Sequence, residues 1–467
     1  MDFTSGDFFV FCTVVFFLYY IPVLHKWQQL VLIAASLVFY AWQAPILLVL
    51  LACSCLISSW SSYGVLTANN SSGRIRIAAL GVVANLMVLA FFKYKFLFFD
   101  PSQLRAIHAG WTRTVLLLPL PIGISFYTFH GISLLVDCYR GKSDFFEQYK
   151  PNFWRHIFDT LLYLVFFPQL IAGPIVKSKD FFPQIQIKRF TQINWDYACN
   201  SMIVGFFLKM VIANNMQDQT FWMNAPYYKA HSTLNLSILL IGYSVQIFAD
   251  FAGYSLIALG LAALFGYRLP ENFNFPYISQ SIAEFWQRWH ISLSSWLRDY
   301  LYIPLGGNRK GMLRTYLNLI IVMFLGGLWH GAAWSFAIWG LWHGVGLCVE
   351  RFFFKIFFVG ASNRVMIMLR VLFVFTFVSF GWLFFKLQNF SDVIGYVSAL
   401  ITHLGWRFDP AVPWVIFLLS LPVIIYHLAY ILCIKLTMWP RAILNGILLF
   451  FIITNAGPNV AFVYFQF

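Results

Sequence analysis

Apolar runs long enough to cross a bilayer recur along most of this 467-residue chain. A membrane-spanning helix needs about 20 mainly apolar residues, and the pattern predicts spans or half-spans at 8–24, 30–42, 45–62, 77–99, 115–135, 157–173, 198–216, 234–266, 314–330, 332–350, 366–386, 413–434 and 442–456. The run at 234–266 is too long for one perpendicular helix, so it is either two segments or one tilted helix, with interruptions at Asp250 and Gly253. The pattern therefore predicts an all-α, polytopic integral membrane protein with roughly 11 transmembrane helices and additional interfacial or re-entrant helices.

The segment 267–314 differs from the rest because polar and charged residues are dense in it. Ser281 and Glu284 form a capping-box pattern, and the apolar residues that follow recur with a helical period while polar residues take another face. Glu284 and Arg288 are spaced i,i+4 in the favourable orientation. The segment predicts an amphipathic helix that carries His290 and either lies in the membrane interface or lines a polar cavity.

Composition agrees with a membrane protein and removes nucleic-acid binding as the reason for the positive charge. Hydrophobic residues make up 60% of the chain and charged residues only 10%, whereas a soluble domain has about 25% charged residues. The bias of Lys and Arg toward cytoplasmic loops explains the formal net charge of +14, and a basic docking surface for an anionic cofactor is compatible with it. The acidic start of the chain argues against a cleavable signal peptide. The first basic flank, His25 and Lys26, follows the first apolar run, which predicts a periplasmic N-terminus.

Three Trp-His pairs occur, and the pair Trp329 and His330 lies within the apolar string LGGLWHGAAW at 325–334. An ionisable residue inside apolar membrane sequence is costly and is by default a candidate functional residue, and histidine is well suited to move a proton near neutral pH. On one straight helix, His330 and His343 would take different faces, roughly 20 Å apart. A metal site of His290, His330 and His343 is disfavoured because their spacing lacks a His-x-x-x-His or carboxylate pattern.

Seven strings along the chain resemble the motifs of a single family. They are PIGISFYTF at 121–129, FPQLIAGP at 167–174, DFAGY at 250–254, FWQRWH at 285–290, LRDY at 297–300, GLWHG at 327–331 and YFQF at 464–467. In identity and order they resemble the membrane-bound O-acyltransferase (MBOAT) superfamily, and specifically its bacterial alginate O-acetyltransferase branch. The resemblance spans nearly the whole chain.

The resemblance implies an MBOAT fold, in which many helices surround a central tunnel that joins the two membrane faces. It implies a single membrane-embedded domain over residues 1–467, with the segment 267–314 inside it. His330 corresponds to the active-site histidine of the family and His290 to its second histidine, while His343 is expected to support the site. The implied reaction uses no metal and passes acetyl groups from cytoplasmic acetyl-CoA to an extracytoplasmic polysaccharide, at the bacterial inner membrane.

The resemblance to the alginate branch implies an alginate-type or cellulose-type polymer as the acceptor. Because members of this branch act on different acceptors, peptidoglycan O-acetylation and D-alanyl transfer are the alternatives. Many larger relatives carry a fused extracytoplasmic hydrolase-like domain that this sequence does not contain, which predicts a separate periplasmic SGNH/esterase-like acetyltransferase protein as a partner. A hypothesis of another class is a transporter of acetyl groups or lipid-linked sugars without chemistry of its own, since buried His and Asp also occur in proton-coupled carriers. The Trp-His-Gly context favours the enzyme.

Acetyl transfer from a thioester needs a base for the acceptor hydroxyl, stabilisation of the oxyanion and exclusion of water. His330 is the predicted base, while His290 either hydrogen-bonds the thioester oxygen or orients the acceptor. Because the guanidinium fork suits phosphate, the candidate contacts of anionic acetyl-CoA are the cations Arg288, Arg298, Arg309, Lys310 and Arg314. Asp250, Glu284 and Asp299 either orient a histidine or form ion pairs within the bundle, and the sequence favours ion pairs.

Overall fold

The computed structural model describes residues 1–42, 44–98, 118–141, 144–171, 173–357, 363–405, 409–434, 436–458 and 462. These residues form an all-helical structure with 79% helix and no strands, which confirms the predicted fold class. The first three residues of the span predicted at 115–135, and the string YFQF at 464–467, lie outside the described residues.

The chain divides into two compact units. The N-terminal unit consists of Met1–Cys199 and Ala258–Pro270, and the C-terminal unit consists of Asn200–Ile257 and Glu271–Phe467. The helices up to residue 181 are α1 Gly6–Tyr20, α2 Gln28–Ala41, α3 Leu47–Thr67, α4 Ser71–Phe98, α5 Ile124–Arg140, α6 Asp144–Gln148, α7 Phe153–Val165, α8 Phe167–Leu170 and α9 Ser178–Phe181.

The helices from residue 195 onward are α10 Trp195–Phe206, α11 Asn214–Thr220, α12 Thr233–Leu264, α13 Ile282–Arg288, α14 Ile291–Leu297, α15 Met312–His330, α16 Trp334–Phe357, α17 Arg364–Lys386, α18 Phe390–Thr402, α19 Ala411–Ile431 and α20 Met438–Thr454. Two π-helical segments, Phe207–Ala213 and Arg298–Tyr302, follow α10 and α14. Short 3₁₀ turns lie at Pro22–Trp27, Phe182–Gln184, Phe190–Gln192, Phe221–Met223, Tyr227–Ala230 and Pro276–Ile278.

Eight helical stretches in the described part of the chain are long and apolar enough to cross a membrane. They are Pro22–Ala41, Leu47–Thr67, Ser71–Lys95, Trp195–Met223, Thr233–Leu264, Met312–His330, Arg364–Lys386 and Ala411–Ile431. Three shorter apolar helices are Gly6–Tyr20, Phe390–Thr402 and Met438–Thr454. The protein is therefore a multi-pass membrane protein, as the hydrophobic pattern predicts.

Several buried polar groups of the N-terminal unit make hydrogen bonds within that unit. The Gln28 amide donates to the Tyr19 carbonyl at 3.0 Å and to the Lys188 carbonyl at 2.9 Å, and its oxygen accepts from the Lys188 N–H at 2.8 Å. Ser62 Oγ lies 2.7 Å from His156 Nε2. Such partners offset the cost of taking polar groups out of water, so this unit presents a packed core around its polar groups.

Helix α12 is a single uninterrupted helix of 32 residues, which settles the two alternatives for the run at 234–266. Asp250 lies inside it as a buried carboxylate, and Lys209 Nζ donates to its Oδ1 at 2.6 Å. A β-carbon at Gly253 would lie 2.8 Å from the Gly205 carbonyl oxygen. The small residues therefore let the two backbones approach closely, and that approach brings the lysine to the aspartate.

Helices α15 and α16 form a tightly packed pair. A β-carbon on Gly327 would clash with the carbonyl oxygen of Phe336, and one on Gly340 would clash with that of Met323. Backbones in a membrane approach this closely only where both helices present small residues. The first helix ends at His330 and the second begins at Trp334, so the packing holds the end of α15 firmly in place.

Candidate active site

His330 is the last residue of α15 and is 6% exposed. Three aromatic rings surround its imidazole: Trp329 at a centroid distance of 5.0 Å, Trp339 at 5.1 Å and Phe385 at 5.1 Å. All three rings meet it edge to face, at interplanar angles of 77°, 90° and 71°. The imidazole therefore lies in an aromatic pocket at the C-terminal end of this helix.

The amphipathic helix expected to carry His290 is broken at that residue, so this prediction was wrong. Helix α13 ends at Arg288 and α14 begins at Ile291, with His290 between them in the left-handed conformation at φ 43°. The cause is pairing with the preceding extended segment. Ile291 N–H donates to the Asn272 carbonyl, and Asn274 N–H donates to the Arg288 carbonyl, both at 2.9 Å. These bonds replace the helical bonds that continuation would have made.

The start of this segment follows the sequence expectation more closely. Ser281 Oγ accepts from the Glu284 N–H at 2.9 Å, as the capping pattern predicts. The carboxylate of Glu284 accepts from the Gln280 N–H at 2.8 Å and from Arg288 Nε at 2.8 Å. The predicted i,i+4 ion pair is therefore present, and α13 is fixed at both ends.

Asn272 holds the His290 ring in place. Its Oδ1 lies 3.2 Å from His290 Nδ1 and accepts from the Ser292 N–H at 3.4 Å and from the Ser292 hydroxyl at 2.5 Å. Its Nδ2 donates to Ser255 Oγ at 3.0 Å. Because a backbone N–H can only donate, the atom facing Ser292 and His290 is the amide oxygen, and Nδ1 of the ring must carry the hydrogen.

His290 is 1% exposed and lies outside the candidate membrane spans. Burial lowers its pKa to about 3, because the charged form is desolvated. The ring is therefore neutral near pH 7, with its hydrogen on Nδ1 and its lone pair on Nε2. A neutral ring of this tautomer accepts a hydrogen bond at Nε2. The geometry thus favours orientation of a hydroxyl over donation to a thioester oxygen.

The fold brings the two candidate histidines to the same tryptophan. The Trp329 ring lies 5.0 Å from the His330 ring and 6.1 Å from the His290 ring, measured between centroids. Phe251 of α12 closes another side of His290, with its ring edge-on at 4.6 Å and 88°. The 40 residues between the histidines in sequence are thus spanned by folding rather than by local spacing.

His343 lies closer to this site than a single straight helix would allow. The chain turns after His330, so the two histidines are on different helices, and both rings contact Trp339, at 5.1 Å and 4.9 Å. His343 is fully buried, and its ring nitrogens have no hydrogen-bond partner among the described residues. Its ring packs against the rings of Trp286 and Phe377, at centroid distances of 5.2 Å and 5.6 Å.

The basic candidates for donor binding lie in different environments. Arg288 is engaged within the protein: besides Glu284, it donates to the Asn274 carbonyl at 3.0 Å and stacks over the Tyr430 ring at 5.6 Å. Arg298 pairs with its neighbour Asp299 at 2.8 Å, with its side chain 63% exposed. The remaining candidates, Arg309, Lys310 and Arg314, are exposed around the start of α15.

Ion pairs explain the acidic residues, as the sequence favours. Asp250 pairs with Lys209, Glu284 with Arg288, and Asp299 with Arg298. Within the described residues, no group of three or more His, Cys, Asp and Glu side chains is arranged to hold a metal ion.

Sequence reasoning missed Asn272 as a residue of this site. Its signal was present, because Asn272 and Asn274 alternate with Phe273 and Phe275 in a pattern typical of an extended segment. Phe273 does form an isolated antiparallel bridge with Trp289. Lys209 was missed as well, since one lysine in an apolar run reveals no partner until the fold supplies Asp250.

Comparison with known proteins adds a family match that covers the whole of this site. The family model described as MBOAT, membrane-bound O-acyltransferase family, matches residues 73–388. The chain is 39% identical over 414 residues to the protein named probable alginate O-acetylase AlgI of Azotobacter vinelandii, covering 87% of this chain and 79% of that protein. It is 34% identical over 398 residues to peptidoglycan O-acetyltransferase of Helicobacter pylori, covering 80% and 73%. It is 32% identical over 285 residues to teichoic acid D-alanyltransferase of Bacillus subtilis, covering 58% and 69%.

Proposed function

The chain belongs to the membrane-bound O-acyltransferase family and is an O-acyltransferase. We propose that it transfers acetyl groups from acetyl-CoA toward an alginate-type or cellulose-type polysaccharide. The observation that carries the proposal is the position of His330, buried at a helix C-terminus among three aromatic rings and beside His290 across Trp329. The relatives named for O-acetylation match over most of the chain and support acetate as the acyl group.

The proposed chemistry begins with proton transfer to His330. The imidazole takes the proton of the attacking hydroxyl while the hydroxyl oxygen forms a bond to the thioester carbonyl carbon. The tetrahedral intermediate then collapses as the carbon–sulfur bond breaks, and His330 returns its proton to the departing thiolate. The products are an acetyl ester and free CoA thiol.

His290 positions the attacking hydroxyl in this proposal. With Nδ1–H held by Asn272, the lone pair on Nε2 accepts a hydrogen bond from the hydroxyl or from a group next to it. Orientation of this kind lowers the barrier because the reacting atoms are held close together before reaction. His343 remains a supporting residue that fixes Trp339.

The exposed cations Arg298, Arg309 and Lys310 are the proposed contacts for the phosphates of acetyl-CoA. Two of them lie in the glycine-rich turn before α15, where Gly306, Gly307 and Gly311 adopt positive φ, and such turns present backbone amides along with the side chains. Arg288 is the weakest member of the proposed set, because Glu284 and Asn274 already occupy its donors.

The proposal includes a second protein. A polysaccharide outside the cytoplasm is modified with a cytoplasmic donor, so the acetyl group must pass across the bacterial inner membrane. A separate periplasmic SGNH/esterase-like acetyltransferase is proposed to receive it and complete the transfer, with the N-terminus of this chain in the periplasm. The resemblance to the alginate branch supports the partner, and the position of His25 and Lys26 after the first apolar run supports the periplasmic N-terminus.

The test is a reconstitution in sealed vesicles with radiolabelled acetyl-CoA outside and the periplasmic partner and polymer inside. We expect label in the polymer together with stoichiometric release of CoA thiol, and loss of both with His330→Ala. Label that accumulates inside without release of thiol would replace the enzyme by a transporter. Transfer to peptidoglycan but not to alginate or cellulose, or transfer of D-alanine in place of acetate, would overturn the proposed acceptor or acyl group.

A further inference from the structure

A lateral groove runs between α16 and α17 in the C-terminal unit, away from His330. Its volume is about 660 Å³, within the range of about 300–1,000 Å³ typical of ligand pockets. The start of α13, at Gln280, Ser281 and Ile282, forms its third wall. The apolar wall residues recur at helical spacing and include Trp342, Val345, Val349, Leu369, Phe373 and Phe377.

Apolar side chains of the groove are exposed at the protein surface. Val345 is 50% exposed, Leu369 is 50% exposed and Phe373 is 62% exposed. From Ile338 to Phe353 along α16 the groove extends about 22 Å, at an α-helical rise of about 1.5 Å per residue. The apolar lining on α16, from Ile338 to Val349, covers about 17 Å of that length, which is close to the thickness of one leaflet of the hydrocarbon core, about 15 Å.

The lining of the groove includes one acidic and one basic side chain. Glu350 lies near the end of α16 and Arg370 near the start of α17, and both line it. The Glu350 carboxylate also accepts hydrogen bonds from the Ile282 N–H and from the Ala283 N–H, the latter at 3.1 Å. The carboxylate is thereby fixed in position, and each of its oxygens retains a further acceptor site.

We propose that this groove binds one phospholipid whose headgroup carries both a phosphate and a primary ammonium group. The Arg370 guanidinium takes the phosphate, for which its planar fork is suited. The ammonium group donates to Glu350, and one acyl chain lies along Val345, Phe373 and Phe377. An anionic headgroup without an ammonium would leave Glu350 beside a second negative charge, so a zwitterionic lipid fits better than an acidic one.

The end of the groove near Glu350 lies at the cytoplasmic leaflet in this proposal. The start of α15 and the end of α16 lie at the same end of the packed helix pair, and the cations Arg309, Lys310 and Arg314 precede or begin α15. The positive-inside bias places such a cluster on the cytoplasmic side. The bound lipid would also contact the first turn of α13, the helix that ends next to His290.

The test is native mass spectrometry of the full-length protein after titration with three phospholipids of identical chains: phosphatidylethanolamine, phosphatidylcholine and phosphatidylglycerol. We expect one tightly bound phosphatidylethanolamine, held about tenfold more tightly than the other two, because each of the others lacks the charge-assisted hydrogen bond from the ammonium group to Glu350. A factor of ten corresponds to about 1.4 kcal/mol. Phosphatidylcholine tests the ammonium contact, because its trimethylammonium group has no N–H to donate. Phosphatidylglycerol bound as tightly as phosphatidylethanolamine would overturn the proposal.

Matched variants separate the groove from the general lipid annulus. Arg370→Met should weaken phosphatidylethanolamine binding about tenfold, whereas Arg364→Met, an exposed position on the same helix outside the groove, should leave it unchanged. Glu350→Gln should remove the preference over phosphatidylcholine. Val345→Trp, at a half-exposed groove position that does not threaten the fold, should displace the acyl chain. Equal binding by the Arg370 and Arg364 variants, or full binding by the Val345 variant, would refute the site.

Discussion

Replacement of Asn272 by alanine should lower both the turnover number and the stability of the protein. The amide oxygen of Asn272 accepts from His290 Nδ1 and from the Ser292 N–H and hydroxyl, and all three residues are at most 2% exposed. A buried donor left without its acceptor costs about 1–3 kcal/mol. If one such bond holds the His290 tautomer and ring orientation, at about 1.4 kcal/mol per factor of ten kcat should fall between about fivefold and about 150-fold.

The assay is acetyl transfer from labelled acetyl-CoA in membrane vesicles, with KM and kcat measured separately. Ser255→Ala is the matched control, because it removes the bond from Asn272 Nδ2 on the other side of the amide and leaves the bond to His290. We expect that control to retain kcat within about twofold because the bond that holds His290 is unchanged, and to lose about 1 kcal/mol of stability. Equal loss of kcat in the two variants, or wild-type kcat for Asn272→Ala, would refute the positioning role.

Asn272→Asp adds a pH dependence of known sign. The carboxylate keeps the acceptor for Nδ1–H, so the variant should be more active than Asn272→Ala at high pH. A negative charge beside the ring raises the pKa of His290 above its value of about 3. Protonation of Nε2 then removes the acceptor as pH falls, so the activity of this variant should decline at a higher pH than that of the wild type. Identical acid limbs for the two proteins would contradict the assignment of Nε2 as an acceptor.

Three further predictions concern the framework of the site. Gly340→Val should prevent packing of α15 on α16, because the new β-carbon meets the Met323 carbonyl oxygen. Gly446→Val is the control, because a β-carbon at Gly446 has open space around it. The size-exclusion profiles of the two purified variants should differ, and similar profiles would contradict the close approach of the two helices. Lys209→Met should destabilise the protein by about 3–5 kcal/mol because it leaves Asp250 charged and buried without its partner; a thermal unfolding midpoint equal to that of the wild type would count against this. Ser281→Ala should cost about 1 kcal/mol through loss of the N-cap, seen as a small fall in the same midpoint, and a large fall would show that the serine does more than cap α13.

The parts of the fold that depend on local sequence could be predicted, and those that depend on distant partners could not. The capping bond of Ser281 and the pair of Glu284 with Arg288 are local, and both are present. The sequence does not show whether the run at 234–266 forms one helix or two, because the free-energy cost of burying Asp250 depends on Lys209, which is 41 positions away. The hydrophobic pattern shows where the aspartate lies but does not identify the residue that pairs with it.

The helix break at His290 also depends on a distant partner. Helical periodicity runs through this position without interruption, yet the backbone pairs with the segment at Asn272, 18 residues earlier. The sequence does contain a signal that His330 and His343 lie on different helices. Gly331 directly after His330 is a helix-ending signal, and a turn there removes the straight helix on which the 20 Å separation depended.

His330 is the proposed base of the acyl transfer, and a comparison of the transfer rates of His330→Ala and His427→Asn tests this role. Both histidines are buried in the C-terminal unit, and His427 Nδ1 bonds only within its own helix turn, to the Val423 carbonyl, at 2.8 Å. With equal amounts of inserted protein, the His330 variant should lose at least about 100-fold in the rate of acetyl transfer, because a general base contributes about that much. The His427 variant should retain its rate. Transfer by His330→Ala within about twofold of the His427 variant would contradict the proposed role of His330.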